Sequence, residues 1–80
     1  MDQSELTELE RAIQTARTLV EQSRSELIEI EQFLAQARSA GHSEWETRLI
    51  ERRSDLEKRL LRAREGLSRD EDTYRQANAN

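Results

Sequence analysis

Leu6, Leu9, Ile13, Ala16, Val20, Ser23, Leu27, Ile30, Leu34 and Ala37 follow one another at alternating steps of three and four residues. Such steps average 3.5 residues and a helix turns once every 3.6, so these side chains form one stripe along an α-helix. The stripe runs unbroken through five heptads. It is a seam that must pack lengthwise on another helix. The chain has no Pro and only two Gly, so helix breakers are missing over long stretches. Its 38% of charged residues would also suit a disordered chain, but disordered charged chains carry no sustained period.

Eighty residues allow a single domain. Ala40-Gly41-His42-Ser43 is the one convincing break. Gly41 can take the left-handed conformation that closes a helix. Asp2-Gln3-Ser4-Glu5 and Ser43-Glu44-Trp45-Glu46 each have the spacing of a capping box. The first helix is therefore expected over about 3–39, the turn over 40–43 and the second helix over about 44–77, with the last residues fraying. In the second arm, Leu49, Leu56, Ala63 and Ala77 share one seam row, and Leu60, Leu67 and Tyr74 share the other. Arg53 and Asp70 interrupt these rows, as polar residues that set register do. Gly66 lies inside this arm and would allow a bend or a close helix approach. So short a turn makes the arms antiparallel neighbours. The expected fold is all-α, an antiparallel two-helix hairpin of coiled-coil type.

Two arms alone make a thin core. Leu19, Ile28 and Phe33 in the first arm and Trp45, Ile50 and Leu61 in the second lie off the seam. Leu61 reads as a scattered surface residue. The others suggest that a partner completes a four-helix bundle, either a second copy or a different helical protein. Leu19 and Phe33 stand two heptads apart on one row beside the seam. Trp45 sits by the turn, where few neighbours can cover a large ring. Tyr74 falls near the start of the first helix, where Leu6 and Leu9 can pack on it. The candidate partner-binding residues are thus Trp45, Leu19, Phe33, Ile28, Ile50 and Tyr74.

The net charge is −4, which argues against nucleic acid as the main partner, since that calls for a basic footprint. The segment from Arg48 to Arg64 is locally basic. Antiparallel packing lays it beside Glu21, Glu26, Glu29 and Glu31, which accounts for the bases without RNA. No apolar run approaches the ~20 residues that span a bilayer, and the acidic N-terminus has no hydrophobic stretch of a cleavable signal peptide. The expected location is the cytoplasm, with secretion that uses no cleavable signal peptide as the alternative. Of the 13 bases, 12 are Arg, a bias that points to a GC-rich genome.

Catalytic chemistry finds no support in the residues. Cys is absent and His42, the single His, lies in the turn. That removes thiol nucleophiles and thiolate metal sites, and there is no Glu-x-x-His helix motif. His42 suits a turn at a helix C-terminus, with pH sensing as the alternative role. No enzyme activity, cofactor or metal is expected.

Trp45 just past the turn, with Tyr74-Arg75-Gln76-Ala77-Asn78 near the C-terminus, resembles the Trp-x-Gly hairpin family of type VII secretion. Thr47 stands where that family has Gly, and Asn78 where it has an acid. The resemblance implies a bacterial homodimeric or heterodimeric four-helix bundle in which the Trp and the C-terminal Tyr serve export. The stretch from Gly41 to Trp45 is also similar to the small co-chaperones of type III secretion needle subunits. These are cytoplasmic hairpins with an aromatic residue early in the second helix. A purely structural coiled-coil element and an RNA-binding hairpin of the Rop type are the remaining alternatives. The leading expectation is a non-enzymatic protein–protein interaction module, associated with bacterial secretion.

Overall fold

A computed structural model describes residues 1–79 as two helices, α1 (Gln3–Ala40) and α2 (Ser43–Ala79). They lie antiparallel in a rod of 59 × 15 × 14 Å, so the expected all-α hairpin is the observed fold.

Local signals set the start and end of α1. Asp2 caps it: the Glu5 amide donates to Asp2 Oδ1 at 2.8 Å and the Asp2 amide to Glu5 Oε2 at 3.4 Å. Both donors would otherwise be orphans of the first turn. Gly41 ends the helix with φ 70°, a conformation that costs glycine little. The His42 amide then donates to the Ala37 carbonyl at 3.0 Å and the Gly41 amide to Arg38 at 3.2 Å.

The turn is tighter than expected, because Ala40 and Ser43 are both helical and Gly41-His42 alone connects them. The second capping box does not form. Glu46 lies on a seam row facing α1, and its carboxylate accepts from Arg38 Nε at 3.0 Å instead. At the far end, α2 continues to Ala79, where fraying was expected. Gly66 is no site of close approach within the chain, since a Cβ built there meets nothing within 4 Å.

The seam runs as the heptads predict. Every one of its positions in α1 is buried or half-buried, including Ser23. The core is Ile30, Leu34 and Leu56, flanked by Leu27 and Leu49. Burying a leucine contributes about 1.5–3 kcal/mol, so stability is concentrated in the half of the rod nearer the turn. Farther out the seam also buries Ile13 and Val20, but they stand among Ala16, Ala63 and Asp70, which bury little apolar surface.

Candidate interaction surface

Register decides which side chains meet. Tyr74 Oη donates to Glu10 at 2.8 Å, Arg53 Nη1 to Glu31 at 3.0 Å and Arg38 Nε to Glu46 at 3.0 Å. Moving from Glu10 to Glu31 to Arg38 moves the partner backwards by equal numbers of residues, as an unbroken antiparallel pairing requires. Arg17 adds a bridge to Glu71 at 3.0 Å. In these four pairs the α1 residue directly follows a seam residue, so all of them lie on one flank of the seam. This is the bonded face.

The opposite flank carries the residues that directly precede the seam. Here Arg52 meets Glu26 at 3.4 Å, and the rings of Phe33 and Trp45 stand 6.3 Å apart at 46°. That is aromatic contact distance. His42 adds an edge-on contact to Trp45, also at 6.3 Å. Yet Phe33 is still 43% exposed and Trp45 38%. The same heptad steps bring Leu19, 44% exposed, level with Arg59, and Ala12 level with Gly66. This is the aromatic face.

The two faces differ in how charge is arranged. On the aromatic face α1 presents Glu5, Glu8, Glu26 and Glu29, with no base among the described residues. The α2 half presents Arg48, Arg52, Arg59, Arg62 and Arg69 against Asp55. One edge is acidic and the other basic, with apolar groups between. On the bonded face each helix carries acids and bases in equal number: Glu10, Glu21 and Glu31 with Arg17, Arg24 and Arg38 on α1.

The six candidate residues therefore separate. Phe33 and Trp45 touch, and Leu19 shares their face. Ile28 and Ile50 are exposed on the bonded side, where each directly follows a seam residue, Leu27 and Leu49. Tyr74 is half-buried in the seam and held by Glu10. It lies 29 residues from Trp45 along α2, about 43 Å at 1.5 Å per residue. Of the acids expected beside the basic segment, Glu26 and Glu31 do pair with it, while Glu21 turns to Arg24 on its own helix.

Sequence reading linked Phe33 with Leu19 and missed its pairing with Trp45. It also missed the polarised face. The clue to both is the tight turn, because a turn placed at Gly41-His42 brings Trp45 within about one and a half helical turns of Phe33 on the same flank.

Two shallow grooves lie at the ends of the rod. One of about 490 Å³ is lined by Gly41, His42, Ser43, Glu44, Trp45 and Arg48. The other, about 440 Å³, lies between Glu10, Arg17, Glu71 and Tyr74. Among the described residues, no group of three or more His, Asp or Glu is placed to hold a metal ion, and no helix is long and apolar enough to cross a membrane. Comparison with protein-family models, with curated proteins and with solved structures finds no match.

Proposed function

We propose that this hairpin works by binding protein through its aromatic face, and that its setting is bacterial secretion. The observation that carries the first part is the Phe33–Trp45 pair. A firmly hydrogen-bonded turn holds two large rings together and leaves each more than a third open. Half-open aromatic groups on a rigid support are the usual anchors of protein interfaces. The basic segment supports protein over RNA as the partner, because Arg52 and Arg53 are already engaged by Glu26 and Glu31.

The secretion setting rests on the resemblance to type VII hairpins. In that role Trp45 and Tyr74 serve recognition together. One observation favours the second reading, a cytoplasmic co-chaperone of a type III needle subunit. The Tyr74 hydroxyl is tied to Glu10, which gives Tyr74 a packing role and leaves the aromatic group by the turn to do the recognising.

The test is Trp45→Ala and Phe33→Ala, followed by circular dichroism, partner capture and export from the source organism. Trp45→Ala is expected to weaken binding at least about tenfold, the scale of an interface anchor, with helicity unchanged. Loss of folding together with binding would reduce Trp45 to a packing residue. Unchanged binding would leave the purely structural coiled coil as the better reading.

A further inference from the structure

We infer that the aromatic face is covered by a second copy of this chain, related by a two-fold axis parallel to the rod, so that both turns lie at the same end. This rests on the proposal that the face binds protein, and it names the occupant.

Charge selects the geometry. Two copies can meet through this face about an axis along the rod or about one across it. An axis across the rod lays α1 on α1 and α2 on α2. Reversal about the middle of the rod then sets Arg52 beside Arg69 and Arg59 beside Arg62 of the other copy, and leaves the acids of α1 facing no base, which is unfavourable where water is excluded. An axis along the rod lays the acidic α1 of each copy on the basic α2 of the other. Either axis leaves every helix antiparallel to both of its neighbours, so the helix dipoles do not distinguish the two and side-chain charge decides.

An axis along the rod also preserves height. Glu26 already reaches Arg52 within one chain, so Glu26 of the second copy comes level with Arg52. One helical turn nearer the hairpin tip, its Glu29 comes within the same reach of Arg48, with Arg52 and Asp55 of that helix nearer its own height. At the tip the two Phe33–Trp45 pairs meet as a four-ring layer. Farther along, Leu19 meets its copy beside the aliphatic stem of Arg59. Ala12 and Gly66 then offer small surfaces where two backbones can come close. The face is 59 Å long and 15 Å wide, or about 900 Å², comparable with the ~800 Å² per partner of a standard interface. The bonded face lacks this complementarity, because its charges are balanced on each helix and several are paired within the chain.

The experiment uses the full chain and two reversals that spare the inter-helix bonds. Among the described residues Glu29 forms no ion pair, and Arg48 pairs with Glu44 on its own helix. Sedimentation equilibrium should give a dimer for the natural chain. Glu29→Arg and Arg48→Glu should each raise its dissociation constant at least about tenfold, since each sets two like-charge pairs in a dimer. An equimolar mixture of the two variants should recover association, and circular dichroism should show each variant still helical.

A spin label at Ser39→Cys, in a chain otherwise free of Cys, then reads the axis. A separation of about 30 Å is expected for turns at one end of a four-helix bundle. A separation approaching the 59 Å rod length would overturn the geometry, as would a mixture that stays apart. A monomer at every concentration would overturn the self-association, while Trp45-dependent capture of a different protein would still stand.

Discussion

Leu34 and Leu56, 0% and 1% exposed, have no route to water, and each touches the core from a different helix. Replacing either with Ala removes its transfer free energy and leaves a void. Urea denaturation should show losses of about 2–5 kcal/mol for Leu34→Ala and for Leu56→Ala. Leu27 occupies the same kind of seam position but is half-buried, so Leu27→Ala should cost less. Ser23→Ala should be silent or slightly stabilising, because Ser23 is buried on an apolar stripe where a hydroxyl gains little. Equal losses at all four sites would mean that the seam is not where the stability lies. The heptads foretold that these residues face α2, since periodicity reports direction. They could not foretell how deeply each is buried, because depth depends on what stands opposite. Leu34 packs in one cluster with Leu56 and Leu49, while Leu6 stands opposite Ala77 and Ile13 opposite Asp70.

The two glycines are a matched test of how each helix is built. Gly41 has φ 70°, and Gly41→Ala forces a side chain into the left-handed region. It should lower stability by about 1 kcal/mol. Gly66 sits in helical backbone with open space around the Cβ position. Gly66→Ala should therefore raise hairpin stability by about 0.5–1 kcal/mol. Thermal melting of the two variants at low concentration, where only the hairpin is measured, should move in opposite directions. The helix limits were legible to within one or two residues, because Asp2, Glu5 and Gly41 act on their immediate neighbours. Glu46 was misread for the opposite reason. Its spacing from Ser43 is that of a local cap, but its place on the seam gives it to Arg38. Tertiary position outranked local chemistry there, and no single-helix rule could reveal it.

The rod as a whole is unevenly stabilised. Ile30, Leu34 and Leu56 cluster in one stretch, and the seam beyond them, though it buries Ile13 and Val20, otherwise holds alanines, Asp70 and the half-buried Leu6, Leu9 and Leu67. Opening should therefore begin at the end away from the turn and spread towards it. Amide hydrogen exchange is expected to be slowest over residues 27–34 and 49–60, and faster by at least about tenfold over residues 5–12 and 67–77. Uniform protection along both helices would show that the rod opens only as one unit. At this scale the hairpin fold was legible in full, from one period and one glycine. The aromatic face was not, because it exists only once register has placed two distant segments side by side.

The polar residues on the seam look like weaknesses, yet they guard against misalignment. If α2 slid one heptad in one direction, Arg53 would stand against Arg38. Slid the other way, it would stand against Arg24, and Glu46 would stand against Glu31. Both errors set like charges in a crowded groove, where the true alignment sets Arg53 on Glu31 and Glu46 on Arg38. A seam of uninterrupted leucine would leave the two-residue turn as the main guard of register. This chain gives up some cohesion and in return backs the turn with a second check on alignment, and the two together keep Phe33 and Trp45 side by side each time it folds.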